Sequence, residues 1–547
     1  LGWYFKSRFI FLKPHYDWGM FKKKRLTPDE IGVLFLLSAL IFGSAFRILP
    51  PYLAGFPIND GGLFYKMIQA VQQNHYRLPE YVQYNGLDIP FVYPPFAFYL
   101  AGFIADLSGR PLIDIVLWFP AITLIAVIPA VYYFANVFLK SRLQAGLATF
   151  LYALLPRSIT WLIMGGGVTR SLGQFFLIMA AANIYLLFNQ KDLTGFHAAR
   201  STFITMKPVR SSLVLSILFS ALVCLTHPEA ALHTIGFAFI LFLFYGRNKA
   251  GMINALIVIL GTMLLSFPWW IVTLARFGPA PYLSAAGTGL NSLSYLIVLF
   301  SPFSGEPFMT IIAVFAILGF AAQIAKREYL LPILFVIPFI IEPRSAANVS
   351  IVPMALLASI AWTDLILPAL SKMENAQFTR FLQSRAEKLL FFYLVFCLMI
   401  GMQIFALDFR EKRLSPEHRA AFAWITQNTP ADSKFLILTG KTDLFADPIN
   451  EWFPVLSSRV SLTTIQGYEW AGRGEFTKRV PFMQGLQLCA SLDCVESTAK
   501  EAGFDYNYIY IAGAASADAN VIHELKSAPM YSSVYEKDSL TILKYPR

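Results

Sequence analysis

The feature that most constrains this chain is the regular return of apolar runs of bilayer length, set apart by short clusters of lysine and arginine. Such runs occupy residues 31–49, 112–139, 143–163, 171–189, 212–226, 230–245, 252–275, 308–325, 329–342, 346–367 and 388–407. About 20 residues of helix cross a hydrocarbon core of about 30 Å, so the pattern predicts a polytopic α-helical membrane protein of about eleven spans. Composition agrees: 56% of the 547 residues are hydrophobic and 14% charged, outside the soluble range.

The net charge of +11 does not point to nucleic acid, because the basic residues fall in the turns between apolar runs, as they do in cytoplasmic loops. Lys22-Lys23-Lys24-Arg25 precedes the first run, which predicts a cytoplasmic amino terminus and a multi-pass protein of the cell membrane. Residues 1–25 mix Trp3, Tyr4 and Phe5 with Lys6 and Arg8. They lack the apolar core of a signal peptide and read as an interfacial basic and aromatic segment.

The short apolar run opened by Tyr93-Pro94-Pro95-Phe96 and ending by Leu107 decides the topology. If it crossed, the clusters Lys140/Arg142, Arg247/Lys249, Lys326/Arg327 and Lys372–Lys388 would all lie outside, against the charge rule. Read as a half-inserted helix inside a first outer loop at 50–111, it leaves every cluster inside. The segment 291–301 reads as another half-inserted piece, and Gly61–Asn74 as an amphipathic surface helix.

After residue 407 the composition changes. Residues 26–407 are read as the membrane domain and 408–547 as an extracytoplasmic α/β domain. In the latter, Ser415-Pro416-Glu417 signals a helix start, and 434–440, 506–513 and 540–545 read as short strands. Cys489 and Cys494 lie five positions apart there and read as a disulfide if the compartment is oxidising.

This topology collects four polar groups on the outer face: Asn59 and Asp60; the turn Gly165-Gly166-Gly167 with Arg170; His227 and Glu229; and Glu342 with Arg344. An Asp before Gly-Gly and an amphipathic run is a good helix cap. Equally, Asp60 is a carboxylate held at the membrane surface, available as a general base toward a hydroxyl or as a metal ligand. The glycine turn and Arg170 offer backbone N–H groups and a guanidinium to a phosphate. His227 and Glu229 read as a polar pair near the site or as a turn. Arg344 reads as an ion-pair partner of Glu342 or as a second phosphate clamp. No Cys/His spacing resembles a zinc site.

With Asn59-Asp60 in the first outer loop, Tyr93-Pro94-Pro95-Phe96, the basic turn Lys140-Ser141-Arg142, many spans and a carboxy-terminal outer domain, the chain resembles the GT-C superfamily of membrane glycosyltransferases. That group includes protein O-mannosyltransferases, aminoarabinose transferases and oligosaccharyltransferases. The resemblance covers most of residues 26–407. It implies Asp60 as catalytic carboxylate, a sugar on a polyprenyl phosphate as donor, and an amphipathic cavity open to the bilayer. Two departures stand out. The first loop has Asn-Asp where many relatives have paired acidic residues, which leaves a divalent metal an open question. The outer domain has Glu451-Trp452-Phe453 and Glu469-Trp470 in place of the Trp-Trp-Asp signature of oligosaccharyltransferases.

The expectation is therefore an inverting, lipid-linked monosaccharide transferase working on the outer face, with membrane lipid, donor and an unspecified acceptor as partners. Asp60 is its base, Arg170 and Arg344 its phosphate groups, and Asn59, His227, Glu229 and Glu342 its substrate contacts. Two alternatives stay open. One is a non-catalytic subunit of the same fold whose outer domain binds a partner. The other is a transporter or flippase, which predicts internal repeats and mid-membrane polar residues that the sequence does not display.

Overall fold

The computed structural model describes residues 26–189, 208–288, 304–306, 310–373, 385–472, 474–512, 519–537 and 540–545. The expected interfacial segment 1–25 and the expected half-inserted piece at 291–301 lie outside the described residues.

The chain opens with α1, Pro28–Ala54. Thr27 caps it by accepting from the Glu30 N–H while Glu30 reaches back to the Thr27 amide, a capping box with Pro in the first turn. Its end is set by Gly55, whose φ of +60° is open to glycine at no steric cost. Then follow α2 (Gly62–Gln73), a hairpin of β1 (Tyr81–Tyr84) and β2 (Leu87–Pro90), α3 (Phe96–Ser108), α4 (Leu112–Leu139), α5 (Arg142–Leu154) and α6 (Gly167–Phe188). The hairpin was not expected from the sequence.

The second part of the bundle contains α7 (Pro208–Cys224), α8 (Pro228–Leu241), α9 (Lys249–Phe277) and α10 (Ala280–Gly287). It continues with α11 (Ile311–Ala325), α12 (Leu330–Ile341), α13 (Pro343–Ala361), α14 (Leu367–Met373) and α15 (Arg385–Glu411). Among the described residues, seven helices are long and apolar enough to cross a membrane, and Phe96–Ser108, Arg210–Cys224, Ile311–Ala325 and Leu330–Ile341 are shorter apolar helices beside them. The protein is thus a polytopic helical membrane protein.

The seven are not alike. In the window of α6 83% of residues are buried, against 6% in α9. Helix α6 is the axis on which α4, α7 and α8 pack, whereas α9 turns its apolar side chains outward, as a lipid-facing helix does. The run expected at 143–163 is helical only to Leu154. Leu155 precedes Pro156, and a residue before proline is pushed out of the helical region. The chain then winds irregularly to Gly166, the start of α6.

The two ends of the bundle are chemically distinct. At one end Arg142 pairs with Asp29 at 3.5 Å, and Asp364 meets Lys326 at 3.1 Å and Gln144 at 3.0 Å. The start of α1 and the basic turns at 140–142 and 326 therefore share a face. Asp60 follows the far end of α1. Helix α3 spans 13 residues, about 20 Å at 1.5 Å per residue and short of a full crossing. It runs alongside α2: Phe64 packs on Phe98 near the start of both, and Gln72 donates to Asp106 at 2.6 Å near their ends. The two helices thus run side by side in the same direction.

Beyond α15 a five-stranded sheet forms from β3 (Lys434–Leu438), β4 (Val460–Ser461), β5 (Tyr508–Ile511), β6 (Ser532–Lys537) and β7 (Leu540–Lys544). The order is β4-β3-β5-β7-β6, with β4, β3 and β5 parallel and β7 antiparallel to both neighbours. Strands β3 and β5 are apolar on both faces because both are covered. Phe435, Ile437, Tyr508 and Tyr510 point to the core shared with α16 (Pro416–Asn428) and α17 (Pro448–Ser457). Leu436, Leu438, Ile509 and Ile511 meet Met483, Val495 and Leu525 on the other side, from α18 (Glu475–Leu488), α19 (Leu492–Glu501) and α20 (Ala519–Ser527). Ser415 caps α16 through the His418 N–H. Cys489 and Cys494 are joined by a disulfide between α18 and α19.

Candidate active site

The site is built on two glycine turns in backbone contact. Gly165 N–H donates to the Ile58 carbonyl at 2.9 Å, and a Cβ on Gly165 would fall 1.9 Å from the Asp60 carbonyl oxygen. Gly61 has φ +119°, and a Cβ there would stand 2.8 Å from the Gly165 Cα. Only glycine permits this approach at both places. The approach delivers Asp60 to the amino terminus of α6. Asp60 Oδ1 accepts from the Gly166 N–H at 2.8 Å, and Oδ2 accepts from Arg170 Nη2 at 2.7 Å.

Asp60 therefore does not cap the helix that follows it. Helix α2 has Gly61 at its cap position with no capping side chain of its own, and the carboxylate serves the neighbouring α6, where the helix dipole favours an anion. The expected phosphate-binding glycine turn also needs correction. Gly165 N–H goes to Ile58, Gly166 N–H to Asp60 and Gly167 N–H to the Met164 carbonyl, so none of the three amides is left for a phosphate.

Arg170 is a two-handed residue: besides Asp60, its Nη1 donates to the Trp161 carbonyl at 3.2 Å, and its guanidinium lies 5.7 Å from the Trp161 ring centroid. Trp161 has φ +61°, a region that bulky residues rarely enter, and such strain clusters at functional sites. Nothing in the sequence marks it.

Next to this pair stands a second. Arg344, in the first turn of α13, donates to Glu229, in the first turn of α8. Arg344 thus pairs with Glu229 and not with Glu342, whose carboxylate is used locally. Glu342 caps α13, accepting from the Ser345 N–H and Oγ at 2.7 Å each. His227 caps α8 through Nδ1, 3.3 Å from the Ala230 N–H, while the hydrogen-bond partner of Glu229 is Arg344. Tyr93 lies within electrostatic reach of both pairs. Its hydroxyl lies 3.2 Å from Thr169 Oγ1, beside Arg170, and its ring packs on His227 at 6.4 Å and on Trp470 at 5.8 Å. Burial chiefly raises the Tyr93 phenol well above its ordinary value, so it stays protonated.

The four polar groups of the sequence thus meet at one end of the bundle, though not in equal roles. Asn59 belongs to the frame: in the left-handed region at φ +56°, it donates from Nδ2 to the Phe445 carbonyl at 2.9 Å. Tyr93, Trp161 and Glu451 were not singled out for the site from the sequence. In the sequence Tyr93 stands out only as part of its motif, and Glu451 only for a loose likeness to the Trp-Trp-Asp signature.

A divalent metal does not fit these residues. Both Asp60 oxygens are engaged, one by an N–H and the other by a guanidinium. Among the described residues no group of three or more His, Cys, Asp or Glu side chains converges to hold an ion.

No protein-family model and no curated protein matches the chain. Solved structures do match. The archaeal oligosaccharyltransferase AglB from Archaeoglobus fulgidus, in complex with an inhibitory peptide and a dolichol-phosphate, is similar over 93% of this chain and 74% of its own, with a TM-score of 0.55 and 13% identity. Arabinofuranosyltransferase AftD from Mycobacteria is similar over 93% of this chain but 40% of its own, with a TM-score of 0.53 and 16% identity. ArnT from Cupriavidus metallidurans bound to undecaprenyl phosphate is similar over 94% of this chain and 98% of its own, with a TM-score of 0.50 and 13% identity. Identities this low speak to architecture, and on architecture they agree: the chain has the fold of the GT-C membrane glycosyltransferases.

Proposed function

We propose that the chain is a membrane glycosyltransferase that moves one sugar, with inversion, from a polyprenyl-phosphate donor to an acceptor hydroxyl. In this reading the amino terminus is cytoplasmic, and residues 26–407 embed the site in the cell membrane. Residues 408–547 cover the site on the outer face. The observation that carries the reading is the Asp60 carboxylate, anchored by one oxygen to the Gly166 N–H with a cation on the other. A second cation, Arg344, stands across Tyr93. The fold supports it, and two of the similar structures contain a dolichol-phosphate and an undecaprenyl phosphate.

The chemistry divides between the two oxygens of Asp60. Oδ1 keeps its bond to Gly166 and fixes the group in place. Oδ2 exchanges Arg170 for the acceptor hydroxyl and takes its proton as the acceptor oxygen attacks the anomeric carbon. The bond from that carbon to the phosphate oxygen breaks, and the electron pair leaves with the polyprenyl phosphate. Arg344 and the released Arg170 balance the developing charge, because a guanidinium fits phosphate oxygens bidentately. His227 and Glu229 border the substrate, and Asn59 and Glu342 hold the loops that carry it.

The experiment is sugar transfer by purified wild-type and Asp60→Asn protein from a polyprenyl-phosphate sugar. Asn keeps an acceptor for Gly166 but takes no proton, so transfer is lost while expression and membrane insertion persist. Transfer at the wild-type rate by the variant would remove the reading.

A further inference from the structure

Helix α2 begins next to Asp60 and lacks a cap from its own chain segment. The cap comes from elsewhere: Glu451 on α17 accepts through Oε1 from the Leu63 N–H at 3.1 Å and the Gly61 N–H at 3.3 Å. These are amides that a helix start leaves without partners. The next residue, Trp452, donates from Nε1 to the Asn59 carbonyl at 3.1 Å and packs edge-on against Phe56 with centroids 4.9 Å apart. The Glu451 backbone is pinned in turn by the Tyr84 hydroxyl, which donates to its carbonyl at 2.8 Å. A Cβ on Gly62 would come within 2.5 Å of that carbonyl.

Helix α17 is itself rigidly seated. Asp447 at its cap accepts from the Ile449 N–H, Asn450 Nδ2 and Thr439 Oγ1 at 3.0, 2.7 and 2.6 Å. We propose that Glu451 is a positioning residue for Asp60, a clasp by which the sheet domain caps α2 in trans and so sets the catalytic loop against α6. The proposal rests on the role given to Asp60 above.

The choice of glutamate has a consequence. Glu451 is 2% exposed and its Oε2 finds no hydrogen-bond partner among the described residues, an expensive state for a charged carboxylate. Burial first, then the charge of Asp60, raises it to about 8 against the two backbone N–H bonds that favour the charged form. The groups facing it are Asp60 from the loop, Tyr84 from β1 and Glu469 from the turn after β4. None is cationic. At neutral pH the clasp is closed by a neutral carboxyl group. Above about pH 8 ionisation strengthens the two amide bonds but places a second negative charge beside Asp60, and the repulsion pushes the catalytic carboxylate out of place.

The test compares Glu451→Ala and Glu451→Gln in the full chain, by transfer kinetics against pH and by hydrogen exchange at the Gly61 and Leu63 amides. Alanine removes the acceptor, so kcat falls on the order of 100-fold, as for a misplaced catalytic group, while the donor KM stays within about twofold and both amides exchange faster. Glutamine keeps the acceptor, so it restores most of the rate and lacks the alkaline fall expected of the wild type. Wild-type kcat in the alanine variant, or an alkaline fall that persists with glutamine, overturns the proposal. If wild-type protein transfers no sugar, the function assigned above fails on its own. The exchange data then decide the clasp: unchanged protection of Gly61 and Leu63 in the alanine variant overturns it.

Discussion

The two ion pairs of the site are built to different standards. Asp60 and Arg170 are 13% and 25% exposed, and each is held by backbone groups from a second element. Glu229 and Arg344 are 20% and 46% exposed, and among the described residues the hydrogen bond that joins them is a side-chain pair without a backbone anchor. A pair fixed on all sides loses little by waiting for substrate, which is what positioned chemistry needs. A half-open pair of long side chains is weakly held and readily re-partnered. The contrast assigns chemistry to the first pair and recognition of a mobile anion to the second.

The largest effect is expected at the fixed pair. Asp60→Asn removes the base, and general-base catalysis contributes about 100- to 10,000-fold, so kcat falls by that factor with little change in KM. Gly166→Ala attacks the same pair by shape alone. Its Cβ would stand 2.6 Å from Asp60 Oδ2 and 3.0 Å from both terminal nitrogens of Arg170, so a loss on the order of 100-fold in kcat is expected, with wild-type insertion. Equal kcat in this variant would break the claim that the first pair is sterically set. Arg344→Gln sharpens the comparison from the other side. Losing one charge-assisted contact of about 1.5–3 kcal/mol raises the donor KM roughly 10- to 150-fold and leaves kcat less affected than Asp60→Asn does.

Two smaller effects fall outside the pairs. Because the Glu451 carboxyl is raised from an ordinary 4.5 to about 8, the folded state holds its proton where the unfolded state has lost it. Stability from this group is full below about pH 4.5 and declines as pH rises through 8. Thermal unfolding of Glu451→Gln should show a shallower decline across that window than the wild type. Replacing Cys489 and Cys494 by serine opens a short loop in the sheet domain, worth about 2 kcal/mol by loop closure. The melting of that domain should shift while transfer at low temperature is unchanged.

Much of this architecture is legible in sequence because a bilayer imposes coarse rules. Charge in the turns and apolar length give the bundle, and the single question of 93–107 orders the polar clusters on one face. What is not legible lies in contacts between segments far apart in the chain. Asp60 reads as the cap of its own helix, yet it serves α6, because Gly61 and Gly165 allow a backbone approach that no local pattern announces. Arg344 reads as the partner of Glu342, two residues away, yet the helix start at Pro343 consumes Glu342 in capping. The run at 143–163 reads as one span, yet Pro156 ends its helix and frees Trp161 to lie on Arg170. Glu451 stands only in a triplet loosely like the Trp-Trp-Asp signature. Its meaning comes from amides nearly 400 positions earlier in the chain.

The central claim is that sugar leaves a lipid phosphate at this end of the bundle, between the fixed pair and the open one. An experimental structure with a bound polyprenyl phosphate tests it most directly. The account predicts phosphate density in contact with Arg344, Arg170 turned toward it, and Asp60 still bonded to the Gly166 N–H. Phosphate bound at the opposite end, near Asp29 and Arg142, with both ion pairs of the site undisturbed, would contradict it.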